Sequence, residues 1–245
     1  MRGIKISASC HIGNIRDYND DMILVVDKYI RDDRLNMDIS LPDTNRFVVA
    51  LADGLGGYHA GDVASAETLS NLKYFISDLP CFLSADRLKE LLNDWLYSIN
   101  KVISSQGYVN PQLSNMGTTL VGIIRYEDKF FWINCGDSRL YRLRNKSIMQ
   151  ITKDHSNSSM NGNERIKAVT NCIGSGCRAP FFDINEFTCD KDDIYLLCSD
   201  GLSDMLQDVE IKDILIDDGD SEDLCRAAIN AGGYDNVSAC VMKIV

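Results

Sequence analysis

Asp53 ends the apolar run Phe47-Val48-Val49-Ala50-Leu51-Ala52 and opens Gly54-Leu55-Gly56-Gly57. The run reads as a buried strand, and the glycines let the backbone turn sharply and approach a ligand closely. A carboxylate thrown off a strand end into such a loop is well placed to hold a hard cation. The design returns at Ser199-Asp200-Gly201, after Ile194–Cys198, and at Asn134-Cys135-Gly136-Asp137, after Phe130–Ile133. Asp21 and Asp235 instead precede apolar runs, which start at Met22 and Asn236. If those two strands run antiparallel to the others, all five aspartates reach one edge of the sheets. Any one of them has the plain reading of a turn or helix-cap residue, a common role for Asp. Five at corresponding ends point to a metal site, and with it an enzyme. Every donor is an oxygen, with neither a His pair at helical spacing nor a Cys cluster. Mg²⁺ or Mn²⁺ is therefore favoured over Zn²⁺ or Cu²⁺.

The elements that must position these residues are strands, two helices, more strands, two further helices and a last strand. Ile4–Cys10, Met22–Val26 and Phe47–Ala52 read as strands, with a polar loop expected at Arg31–Asn45. Gly61–Leu79 carries Val63, Ala64, Leu69, Leu72 and Ile76 near helical spacing, and Ser84–Ser104 continues in kind. Gly117–Tyr126 and Lys129–Cys135 form a hairpin signal around Glu127-Asp128, and Leu140–Leu143 with Ile148–Ile151 forms another. Asp208–Ile216 and Glu222–Ala231 read as helices, and Val237–Val245 as the closing strand. Hairpins of strands with helices in separate blocks indicate a layered α+β domain rather than alternating βαβ units. With no internal repeat or low-complexity linker, residues 1–245 are expected to form a single domain.

Composition narrows the function classes. Hydrophobic residues make up 45% and charged residues 25%, ordinary values for a globular protein. A net charge of -11 argues against a nucleic-acid surface, whose footprint is a basic stripe. No apolar run reaches the ~18 residues of a membrane span, and no signal peptide is visible. The nine cysteines include no C-x-x-C pair, and several lie in strand-like runs where a free thiol packs as a small hydrophobe. A reduced, cytoplasmic protein is expected, with no appended sensor, anchor or docking domain.

From Gly13 to Ser238 the chain resembles the metal-dependent protein phosphatases, the type 2C serine/threonine phosphatases, in their bacterial stand-alone form. Arg16-Asp17-Tyr18-Asn19-Asp20-Asp21 is similar to the family's opening Arg-x-x-Asn-acid-Asp motif. Ala52-Asp53-Gly54-Leu55-Gly56-Gly57, then Gly61-Asp62-Val63-Ala64-Ser65, resembles its metal-bridging loop and following helix. Gly117-Thr118-Thr119, Gly136-Asp137-Ser138-Arg139, Asp154-His155-Ser156, Asp200-Gly201-Leu202-x-Asp204 and Asp235-Asn236-Val237-Ser238 follow in the family's order. The resemblance implies a four-layer αββα sandwich, two mainly antiparallel sheets flanked by helices.

It also implies roles. Asp53 would bridge two Mn²⁺ or Mg²⁺ ions, one of them also held by the Gly54 carbonyl. Asp200 and Asp235 would bind one ion, with Asp20 and Asp21 serving directly or through water. Asp137 and Asp204 would join Asp200 at a third ion, and Arg16 would grip the substrate phosphate with its planar fork. Two cations would lower the pKa of a shared water, and the resulting hydroxide would attack phosphorus in line. Leu55 stands where some relatives carry a His proposed as general acid, and leucine has no proton to give. His59 lies one residue beyond a position where bacterial relatives often have His; it is either a rim residue touching substrate or an ordinary loop histidine. His155 is expected to support the fold. Asn157–Asn171 is short for the family's flap beside the active site. The implied activity is hydrolysis of phosphoserine and phosphothreonine in proteins, in signalling that opposes a serine/threonine kinase, with that kinase or its targets as partners. A phosphatase of small phosphate esters and a non-catalytic phosphoprotein-binding module on the same fold remain as alternatives.

Overall fold

The computed structural model describes residues 3–42, 44–56, 60–161 and 164–245. The first half carries β1 (Gly3–His11), β2 (Met22–Val25), β3 (Lys28–Ile30), β4 (Asp33–Ser40), β5 (Arg46–Ala52) and β6 (Gly54–Leu55). Helices α1 (Ala60–Asp78) and α2 (Ala85–Val109) follow. Next come β7 (Gly117–Thr118), β8 (Leu120–Tyr126), β9 (Lys129–Cys135), β10 (Arg139–Arg144), β11 (Ser147–Gln150) and the hairpin β12 (Ser156–Asn161) and β13 (Glu164–Val169). The chain continues with β14 (Ile173–Gly174), β15 (Asp183–Phe187), β16 (Ile194–Cys198), α3 (Asp200–Ser203), α4 (Asp208–Ile216), α5 (Ser221–Asn230) and β17 (Val237–Ile244).

Two six-stranded sheets form the centre, ordered β11-β10-β16-β17-β1-β4 and β15-β9-β8-β5-β2-β3. Every pairing within them is antiparallel. Alternation along the strands explains how they stack. In β5, Phe47, Val49 and Leu51 point into the core between the sheets, while Val48, Ala50 and Ala52 pack toward α1 and α2. In β16, Tyr195 and Leu197 face the inter-sheet core, while Leu196 and Cys198 join the core under α4 and α5. Both strands read as continuous apolar runs because both faces are covered. Each fully buried Val, Leu or Ile contributes about 1.5–3 kcal/mol by leaving water. Three cores between four layers make the αββα sandwich that the family resemblance implied.

The outer helices are anchored by their own residues. Leu88, Leu92, Leu96, Ile99 and Ile103 recur along one face of α2, and the Ser84 side chain accepts from Arg87 N–H to cap its start. Asp220 caps α5 by accepting from the N–H groups of Glu222 and Asp223. The expected polar loop Arg31–Asn45 is corrected by the structure: it contains β4, an edge strand whose Leu35, Met37 and Ile39 alternate with exposed polar residues. β15 is a second edge strand that the polar run Asp183–Phe187 conceals. The segment 157–171 contains most of the β12–β13 hairpin.

Candidate metal centre

Strand register brings the aspartates to one end of the sandwich. Met22 pairs with Ala52, so Asp21 and Asp53 emerge side by side from β2 and β5. In the other sheet Cys198 lies between Arg139 and Ala239, which places Asp137, Asp200 and Asp235 just beyond the same end. The antiparallel condition set by the sequence is thus met for both strands that begin with an aspartate.

Close backbone approaches draw these loops together. A Cβ on Gly61 would lie 2.9 Å from Asp20 Cγ and 3.0 Å from the Gly54 carbonyl oxygen, so only glycine lets both groups turn toward one point. A Cβ on Gly201 would fall 2.0 Å from the Asn236 carbonyl oxygen, which packs the Asp200 loop directly on the Asp235 loop.

Side chains then fix the loops. Asn236, itself buried, accepts from Asp20 N–H at 2.8 Å and donates to the Ile12 and Tyr18 carbonyls at 2.9 Å each. Ser65 donates to the Asp20 carbonyl at 2.7 Å. Arg31 donates to the carbonyls of Asp21 and Asp62 and to Ser65 Oγ, tying β3 to the start of α1. The Asp53 carbonyl accepts from Thr119 N–H at 2.8 Å and from Thr118 Oγ1 at 2.9 Å. Thr119 Oγ1 shares a 2.7 Å hydrogen bond with Ser138 Oγ.

The charges oppose one another. Burial, then repulsion from Asp21, Asp200, Asp137 and Asp235, holds the Asp53 carboxyl well above the usual carboxylate range. Asp21 is pushed up to about 7, first by burial; the Ser238 and Ser199 hydroxyls pull it partly back, and Asp200 and Asp235 raise it further. Asp20 is raised by burial and by Asp62. Asp20 Oδ1 and Asp21 Oδ2 are buried with no hydrogen-bond partner. Burying carboxylates in this way is costly unless a cation compensates them. Arg16 shows that the site attracts one: its fork meets Asp235 with Nε–Oδ1 at 2.8 Å and Nη2–Oδ2 at 2.7 Å. Among the described residues the carboxylates stand near one another without closing into a ready-made cage. An all-oxygen donor set with orphaned anionic atoms fits a hard divalent cation.

A family model described as protein phosphatase 2C matches residues 25–227. The chain belongs to this family. It is 30% identical over 218 residues to the serine/threonine phosphatase stp of Listeria welshimeri, covering 81% of this chain and 85% of that protein. It is 32% identical over 213 residues to the serine/threonine protein phosphatase PstP of Mycobacterium tuberculosis, covering 81% of this chain and 40% of that protein. The PstP catalytic domain, solved in complex with two manganese ions, superposes with a TM-score of 0.73 at 26% identity, covering 100% of each chain.

Not every expected residue of this phosphatase joins the centre in the same way. Asp53, Asp200 and Asp235 are partly accessible, Asp21 and Asp137 are buried, and Asp204 is exposed at the end of α3, where its N–H donates to the Asp200 carbonyl. His59 lies outside the described residues. Leu55 lines a cleft of about 470 Å³ with Val169, Thr170, Cys172, Ser175 and Cys177, which puts the end of β13 beside the site. His155 is a fold residue. Its Nδ1 accepts from Gly136 N–H at 3.1 Å, which leaves Nε2 to donate to Asp183 at 3.0 Å. Sequence reasoning passed over Arg31, Asp62 and Asn236 as site residues. Asp62 and Asn236 lie inside the family-like motifs Gly61–Ser65 and Asp235–Ser238, but Arg31 carries no local signal.

Proposed function

We propose that Asp20, Asp21, Asp53, Asp200, Asp235 and the Gly54 carbonyl hold two Mn²⁺ or Mg²⁺ ions, and that Asp137 and Asp204 with Asp200 serve a third. The chain is a metal-dependent serine/threonine protein phosphatase, and phosphoproteins are its substrates. The observation that carries the assignment of residues is the gathering of strand-end carboxylates at one end of the sandwich, where burial and then their mutual repulsion raise Asp53. Bound cations would lower the pKa of the attacking water and neutralise charge on the transferring phosphoryl group.

The chain's own groups do the rest. Asp53 leaves the end of β5 beside the start of β2, and Thr118 and Thr119 fix its backbone. Arg16 offers two parallel N–H donors suited to two phosphate oxygens, which orients phosphorus for in-line attack. Leu55 donates no proton, so water protonates the departing serine or threonine oxygen. We read residues 1–245 as one catalytic domain, since both six-stranded sheets and the site draw on both halves of the chain. A cytoplasmic location accords with nine free cysteines, and no helix among the described residues is long and apolar enough to cross a membrane. The opposing serine/threonine kinase, or its targets, would supply the substrates.

The test offers a phosphothreonine peptide and a small phosphomonoester to the enzyme together, with Mn²⁺ and after chelation. Preferred turnover of the peptide, abolished by chelation, is expected. Preference for the small ester would move the substrate class, and turnover that survives chelation would overturn the metal reading.

A further inference from the structure

The loops bearing Arg16 and Asp235 are joined to each other by neutral hydrogen bonds. Asn14 N–H donates to the Gly233 carbonyl at 2.8 Å, and the Asn14 amide donates to the carbonyls of Ile229 and Gly232 at 3.0 Å each. Asn236 adds its bonds to Ile12 and Tyr18 from the other side. Arg16 and Asp235 therefore face each other on loops joined by bonds that involve neither side chain.

On those loops the guanidinium covers the carboxylate. Nε reaches Oδ1 at 2.8 Å and Nη2 reaches Oδ2 at 2.7 Å, while Asn236 N–H also donates to Oδ1 at 2.8 Å. Three of the roughly four lone-pair directions of Asp235 are thus taken. Arg16 also feels the charges of Asp53 and Asp20, though its hydrogen bonds go to Asp235. A cation that uses Asp235 must displace a positive group from the same oxygens. The pair is breakable, because both side chains are about half exposed, at 54% and 41%.

We infer that Arg16 is a latch on Asp235: it competes with the divalent cation for that carboxylate, and cation binding releases it toward the substrate phosphate. The inference rests on the ligand role proposed for Asp235, and it makes Arg16 a positioning residue for the cation as well as a phosphate holder. It also orders events, since the phosphate grip becomes available only after Asp235 has been handed to the cation.

Calorimetric titration of the chelator-treated enzyme with Mn²⁺ reads this without turnover. Wild type is compared with Arg16→Met, which removes fork and charge, and Arg16→Lys, which keeps the charge and loses the fork. Arg16 is exposed, so neither change threatens folding. The Met variant should bind Mn²⁺ about fivefold tighter, equivalent to about 1 kcal/mol, the upper end for an exposed pair. The Lys variant should also bind tighter than wild type, by a smaller factor. Equal or weaker binding by Arg16→Met would overturn the latch while leaving the metal site intact. Wild-type affinity in Arg16→Lys alongside a gain in Arg16→Met would assign the effect to charge alone and also overturn it. A wild type that binds no Mn²⁺ would overturn the ligand assignment and the latch together.

Discussion

Asn236→Ala should loosen the metal centre without replacing a proposed ligand. The side chain is 6% exposed and makes three hydrogen bonds, accepting from Asp20 N–H and donating to the Ile12 and Tyr18 carbonyls. At about 1 kcal/mol net each the loss would be about 3 kcal/mol. The Ile12 and Tyr18 carbonyls lie near solvent and can recover water, which reduces it to about 2 kcal/mol. That free energy holds residues 12–20 against the Asp235 loop, and in the variant cation binding must supply it. Mn²⁺ affinity should therefore fall about thirtyfold, since 1.4 kcal/mol is a factor of ten. The melting temperature should fall by about 4–8 °C, taking about 2–4 °C per kcal/mol for a chain of this size. Calorimetric titration gives the affinity, and hydrogen exchange should show protection lost across residues 12–20. An unchanged Mn²⁺ affinity in a folded variant would mean that Asn236 does not organise the site.

Three further outcomes follow from the same structure. Gly201→Ala puts a Cβ 2.0 Å from the Asn236 carbonyl oxygen, so it should cost about 1–3 kcal/mol in thermal melts and weaken Mn²⁺ binding by parting the Asp200 and Asp235 loops. In the chelated protein Asp21, pushed up to about 7, and Asp53, also raised, contribute stability that is present below about pH 4 and lost as pH rises through their folded values. The chelated protein should accordingly be more stable to urea at pH 5.5 than at pH 8, and saturating Mn²⁺ should reverse that order. Far from the site, burial raises Asp193, but the Arg144 fork, Asp190 N–H and the Tyr195 hydroxyl more than offset it and hold the carboxyl below its ordinary range. Its contribution is present above about pH 4 and lost as pH falls through the folded value. Arg144→Met should lower the urea midpoint at pH 7, because the Asp193 side chain is 1% exposed and loses its cation, and lower it appreciably less near pH 3.

The sequence made the skeleton legible where burial was complete. β5 and β16 stand out as unbroken apolar runs because each is covered on both faces, and α4 was bounded at Asp208 and Ile216, where the structure has it. Edge strands were harder. β4 and β15 each lie at the rim of a sheet, exposed enough to carry Asp, Asn and Glu, and such a strand looks like a loop when read alone. The aspartates were legible because strand ends and glycines mark them. Their scaffolding was not, since Asn236 and Arg31 act through partners distant in sequence, such as Ile12 and Asp62. The Arg16–Asp235 pair spans most of the chain, and only the folded loops bring it together.

Asp200→Asn offers the most direct check on the strand-end aspartates as holders of the catalytic cations. The variant keeps the side-chain shape at the start of α3 and removes one charge from the proposed ligand set. Hydrolysis of a phosphothreonine peptide would be followed across a Mn²⁺ titration in both proteins. The expected result is a saturating Mn²⁺ requirement in wild type, with kcat at least about a hundredfold lower in the variant, the range seen when one electrostatic stabiliser is removed from an active site. Undiminished kcat at the same Mn²⁺ concentration, in a folded Asp200→Asn protein, would contradict the assignment of these carboxylates to the cations.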